Sequence, residues 1–86
     1  MYTVYVIKST EKDWFYVGQS SNFERRLEHH NRGYNRSTKP YRPFELVLTE
    51  EYDTREQARS REKELKSTMG KRFIRKYYSN KREEKK

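Results

Sequence analysis

Two short runs near the start of the chain constrain its fold more than anything that follows. Tyr2 to Ser9 (YTVYVIKS) and Trp14 to Ser20 (WFYVGQS) are rich in β-branched and aromatic residues, which suit a pleated, half-buried surface. The polar stretch Thr10 to Asp13 between them is hairpin-sized. Side chains alternate along a strand, so a two- or a four-residue turn puts Tyr5 and Tyr16 on one face. That face also holds Ile7, Trp14 and the bare Gly18, while Val4, Val6, Phe15 and Val17 share the other. Both faces are largely apolar or aromatic, so the hairpin predicts a sheet covered, at least in part, on both sides.

Composition taken alone argues against such a core. Leu, Ile, Val and Phe make up only fourteen of 86 residues, below the roughly 20% at which a highly charged chain stays unfolded. Eight Tyr and one Trp restore the missing buriable surface, and the apolar residues are patterned. A small core is the expectation. The 21 Lys and Arg outweigh 13 Asp and Glu to give a net charge of +8, which favours a polyanionic partner, nucleic acid first. The lack of cysteine removes disulfides, thiolate metal sites and thiol catalysis. No apolar run approaches the roughly 18 residues of a membrane span, and the first residues lack a signal-peptide pattern, so a cytoplasmic protein is expected.

Further along, Ser21-Asn22-Phe23-Glu24 fits a capping box opening a helix that Gly33 should close. Phe23, Leu27 and His30 form its inward stripe, with Arg26 one turn before His30. Tyr34 to Pro43 holds both prolines and reads as a loop. Phe44 to Glu50 is a third strand with Phe44, Leu46 and Leu48 expected on one face. Asp53-Thr54-Arg55-Glu56 is a second capping box, starting a helix through about Met69 with Gly70 as its end. A short helix around Phe73, Ile74 and Tyr77 follows, and residues 79–86 read as a disordered, charged tail.

Four features carry candidate chemistry. Glu62 interrupts the apolar stripe Ala58, Leu65, Met69; a buried carboxylate needs a partner, so it either faces a cleft or pairs with Arg59, Arg61, Lys63 or Lys66. The Tyr5–Tyr16 pair either packs or acts, and a tyrosine serves as a base only where nearby positive charge favours its ionisation. Arg26 with His30 combines a phosphate clamp with a proton carrier, although the spacing is common on solvated faces. From His29 to Arg42, the basic His29, Arg32, Arg36, Lys39 and Arg42 interleave with Tyr34 and Tyr41. That is the composition of a nucleic-acid contact loop, or of a merely solvated one.

The order of these features is specific. Thr3-Val4-Tyr5-Val6-Ile7, Tyr16-Val17-Gly18, and Asn22 through His30 resemble the GIY-YIG nuclease domain. The runs Thr38 to Val47 and Ala58 to Lys66 resemble it too, most of all in its small stand-alone bacterial members. The resemblance spans Met1 to about Lys76, with a domain expected over residues 1–78. It implies an α+β fold, a three-stranded antiparallel sheet flanked by helices in the order β-β-α-β-α-α. It implies Tyr5 or Tyr16 as general base, Tyr5 being preferred, Arg26 on the scissile phosphate, and His30 relaying a proton. Gly18 would keep the site floor open and Glu62 would bind one Mg²⁺ or Mn²⁺. Thr3, Val4 and Val17 depart from the motif residues, and Lys71 to Ile74 lacks an asparagine found in several active members.

The implied activity is metal-dependent DNA hydrolysis, one ion being all that a single carboxylate can recruit. A non-catalytic nucleic-acid-binding module on the same scaffold is the alternative, and an RNA partner or a targeting subunit is also compatible with the charge.

Overall fold

The computed structural model describes residues 1–84. Its elements are β1 (Tyr2–Ser9), β2 (Phe15–Ser20), α1 (Phe23–Arg32), a 3₁₀ turn (Lys39–Tyr41), β3 (Phe44–Tyr52), α2 (Arg55–Lys66) and α3 (Thr68–Glu84). The sheet is antiparallel in the order β2-β1-β3, so the expected element order and α+β class are found. The hairpin uses the four-residue turn. Ser9 N–H bonds the Trp14 carbonyl at 2.9 Å, and the buried Ser9 hydroxyl accepts the N–H groups of Glu11 and Lys12 at 3.2 and 3.0 Å.

The sheet is covered on both faces, as its apolar alternation requires. On one side Val4, Val6, Val17, Val47 and Leu48 meet Ala58 and Leu65 of α2 and Ile74 of α3. On the other, Tyr5, Ile7 and Phe44 form a smaller aromatic cluster with Trp14, Tyr16, Phe23, Leu27 and Tyr41. The candidate catalytic groups grow out of this second layer.

Several local expectations need correction. The face of β3 is not shared by Phe44, Leu46 and Leu48, because the register shifts between Val6 and Ile7. Val6 pairs with Leu48 but Ile7 with Leu46, leaving Val47 as an extra, bulged residue. Val47 and Leu48 then both enter the valine-rich layer, while Leu46 stays 39% exposed. Both helix starts lie one residue later than expected. The cap of α1 is Asn22, accepting from Arg25 N–H, and the cap of α2 is Thr54, in a reciprocal capping box with Gln57.

The second helix also stops sooner than the sequence suggests. Ser67 breaks it, its hydroxyl accepting the Gly70 N–H at 3.1 Å as a cap would, and α3 starts at once. Gly70 therefore sits inside α3, buried against Glu64 and Leu65, and does not end a helix. Met69 leaves the inward stripe and is 75% exposed. From there α3 runs to Glu84, so residues 79–84 are helical where a disordered tail was expected; Lys85 and Lys86 lie outside the described residues. Two contacts tie down this last stretch: Tyr78 packs edge-on against Phe15, and Lys81 donates to the Val47 carbonyl at 3.0 Å.

Candidate active site

The hairpin positions the tyrosines. Tyr5 lies opposite Gly18 and Tyr16 opposite Ile7, so the two rings are diagonal neighbours with centroids 6.2 Å apart. Tyr5 is 1% exposed and Tyr16 is half-buried. The missing side chain at Gly18 creates the space that Tyr5 fills. A Cβ there would stand 2.7 Å from Tyr5 Oη and 2.9 Å from Tyr16 Cε2, closer than such atoms pack.

From α1 comes the next layer. Phe23 packs on Tyr5 at 5.3 Å, and His30, fully buried, lies 4.9 Å from the Tyr16 ring. The Tyr5 hydroxyl is 2.9 Å from His30 Nε2. On the far side of the imidazole, Nδ1 is 2.9 Å from Oγ1 of Thr38, a residue as buried as His30 itself. Gly33 ends α1 in the left-handed conformation at φ 81°, and this turn leads into the loop that carries Thr38.

Burial sets the electrostatics here. It pushes His30 down to about 4, with the positive charges of Arg26 and His29 pushing the same way. It pushes the Tyr5 hydroxyl up to about 12, helped by Tyr16 and Glu62 and opposed by Arg26. Arg26 and Glu62 thus both act on Tyr5, although one projects from α1 and the other from α2. Tyr5 is hydrogen-bonded to His30, lies beside Tyr16, and is within electrostatic reach of Arg26 and Glu62.

Glu62 takes the paired reading of its place in the stripe. It lies on the sheet-facing side of α2 between Ala58 and Leu65, its side chain only 18% exposed, and it pairs with Lys66 at 2.7 Å. As a donor set for a metal this is one hard carboxylate. No group of three or more His, Cys, Asp or Glu that could hold an ion occurs among the described residues. Such a set fits Mg²⁺ or Mn²⁺ that keeps most of its water and takes further oxygens from substrate phosphate.

The basic loop divides. Arg36 and Tyr34 join Arg26, His29, His30 and Asn35 around a hollow of about 290 Å³, so two guanidinium-bearing residues flank the buried histidine. Tyr34 is 66% exposed, with its ring edge-on to His29. Lys39 is exposed on the 3₁₀ turn. Arg32 pairs with Glu28 at 2.7 Å, and Arg42 donates to the Arg32 carbonyl at 3.3 Å, so these two also brace the end of α1. Tyr41 stacks on Trp14 at 3.9 Å and 7°, pinning the loop to the hairpin instead of presenting a free ring. Thr38 was not singled out from the sequence as a site residue. Nothing in its loop sequence marks a threonine for burial; only the packing of that loop against α1 does.

The fold and the cluster define a small α+β domain with a buried tyrosine–histidine pair under the electrostatic influence of an arginine and a carboxylate. A family model described as the GIY-YIG catalytic domain matches residues 1–78. UPF0213 proteins of Staphylococcus aureus strains Mu3, Mu50 and N315 are each 38% identical over 65 residues, covering 74% of this chain and 78% of the relative. No solved structure matches the chain. The chain belongs to the GIY-YIG family, whose domain is of nuclease type and acts on nucleic acid.

Proposed function

We propose that this protein is a metal-dependent DNA endonuclease that hydrolyses a phosphodiester bond with Tyr5 as the proton acceptor for the attacking water. The observation that carries the proposal is the buried 2.9 Å hydrogen bond between Tyr5 and His30, within electrostatic reach of Arg26 and Glu62. Of the two tyrosines, Tyr5 is the one whose hydroxyl is bonded to a group able to take its proton.

Arg26 holds the scissile phosphate and meets the negative charge growing on its oxygens, with Arg36 across the hollow as a second anchor. His30, pushed down to about 4, is neutral at pH 7 and free to receive a proton at Nε2. Tyr5, pushed up to about 12, stays protonated at rest. Transfer from Tyr5 to His30 is unfavourable at rest, so it accompanies the bond-making step, in which water gives up its own proton to Tyr5 as it attacks phosphorus. A divalent ion held by Glu62 would supply Lewis-acid stabilisation of the leaving 3′-oxygen and of the phosphoryl charge. Glu62 is available for that role once Lys66 moves off it. Tyr16 flanks His30, and Gly18 leaves the room in which Tyr5 works.

Arg32, Arg36, Lys39, Arg42 and Tyr34 extend the contact to neighbouring phosphates and bases. No described helix is long and apolar enough to cross a membrane, and a cytoplasmic site of action fits a DNA substrate. The alternative, a binding module without chemistry, draws on the lysine that sits on Glu62.

Nicking of supercoiled plasmid and of branched DNA with Mg²⁺ or Mn²⁺ tests the choice. Metal-dependent product that disappears in Glu62→Ala, with DNA binding retained, is the expected result. Salt-sensitive binding with no product from either protein would replace the nuclease by the binding module.

A further inference from the structure

A chain of hydrogen bonds runs from Tyr5 through His30 to Thr38 and ends on the Asn35 carbonyl, 3.3 Å from Thr38 Oγ1. We infer that Thr38 is a positioning residue for the reaction: it holds the His30 hydrogen on Nδ1 and so leaves the Nε2 lone pair facing Tyr5. The inference rests on the nuclease reading for its catalytic meaning, but the proton placement stands or falls alone.

The direction of the chain follows from its Tyr5 end. In one arrangement the Thr38 hydroxyl donates to the Asn35 carbonyl and offers its lone pair to His30 Nδ1–H. A neutral imidazole carries one N–H, which leaves Nε2 to accept from the Tyr5 hydroxyl. The reverse arrangement has Thr38 donating to Nδ1 and Nε2–H donating to Tyr5. The Tyr5 hydroxyl hydrogen would then have no acceptor, since His30 is the hydrogen-bond partner of Tyr5 Oη among the described residues. An orphaned donor on a side chain that is 1% exposed is strongly disfavoured. A doubly protonated His30 fails for the same reason. Every polar side-chain atom buried among the described residues has a partner, and the first arrangement alone keeps this true of the hydrogens as well.

The arrangement matters because the opposite tautomer would turn His30 from an acceptor of the Tyr5 proton into a donor to its oxygen. Thr38 does not touch substrate in this scheme; it acts through His30. Its backbone is fixed by N–H donation to Asn35 at 3.2 Å, and the adjacent Lys39 N–H reaches the same carbonyl at 2.9 Å. The tautomer is therefore set by the loop that also carries Arg36 and Lys39.

Long-range ¹H–¹⁵N spectra of histidine-labelled protein at pH 7 read the tautomer directly, with His29→Gln separating the two histidine signals. The expected result is a hydrogen on His30 Nδ1 in the wild type. In Thr38→Val, nearly the same shape without the hydroxyl, the Nε2–H form gains population and plasmid nicking falls on the order of 10-fold or more. Thr38→Ser restores both. A wild-type hydrogen on Nε2 overturns the inference whatever the variants do, as does a folded Thr38→Val with wild-type tautomer and nicking. Absence of nicking from every protein would sink the nuclease reading, and the nitrogen spectrum would still decide the tautomer.

Discussion

At the scale of single residues, Gly18 and His30 carry the sharpest consequences. Gly18→Ala would drive a methyl group to 2.7 Å from Tyr5 Oη and 2.8 Å from its Cζ, so Tyr5 must move. A stability loss of about 1–3 kcal/mol in urea unfolding is expected, with a larger loss of nicking than of DNA binding. Unchanged unfolding and nicking would contradict the close approach. His30 makes the fold sensitive to acid. Its ordinary value is 6.5 and the fold holds it near 4, so between those pH values the unfolded chain binds more protons than the folded one. Stability is then complete above pH 6.5 and falls as pH drops toward 4, by on the order of 3 kcal/mol. Urea titrations across that window should show the loss in the wild type and in His29→Gln, and a shallower one in His30→Gln.

Among the elements, the junction of α2 and α3 departs furthest from what periodicity suggests. An alanine is normally a better helix residue than glycine by roughly 0.5–1 kcal/mol. At position 70 the sign should reverse, because a Cβ would overlap the Glu64 carbonyl oxygen and stand 2.5 Å from Leu65 Cα. Gly70→Ala is expected to cost about 1–3 kcal/mol by thermal or urea unfolding; a stabilised variant would mean that the helices can part freely. The same junction places Glu62. With α2 ending at Lys66, the inward stripe is short, and its one carboxylate pairs with Lys66 while Met69 turns outward. Strand β3 has a comparable device, since the bulge at Val47 sends two consecutive apolar residues into one layer.

For the whole molecule the governing quantity is charge. A net +8 on 86 residues should make DNA affinity fall steeply with salt through counterion release. Removing a cation that meets a phosphate reduces the slope of log affinity against log salt by about 0.7–0.9. Arg36→Ala, at the hollow beside His30, and Lys39→Ala, on the exposed turn, should each show a decrease of that size. Filter binding or fluorescence anisotropy over a salt series gives the slopes. Wild-type slopes in both variants would remove this loop from the interface.

Much of this protein is legible in its sequence. Period-two alternation put Tyr5 and Tyr16 on one face, and a glycine between aromatic neighbours announced a space. Helical spacing set Phe23, Leu27 and His30 inward, and ordered motifs pointed to the family. These are local properties, fixed by the geometry of a strand or a helix within a few residues. Tertiary packing decided the rest. A bulge changes facing through an offset between two strands, so Val47 and Leu48 could not be assigned from one strand's pattern. Ser67 ends α2 only because its hydroxyl finds the Gly70 N–H and α3 can close on Leu65. Thr38 becomes part of the site because a loop folds back over α1 and excludes water from it. Desolvation and hydrogen bonding to His30 belong to that enclosure, and no spacing in the sequence encodes them.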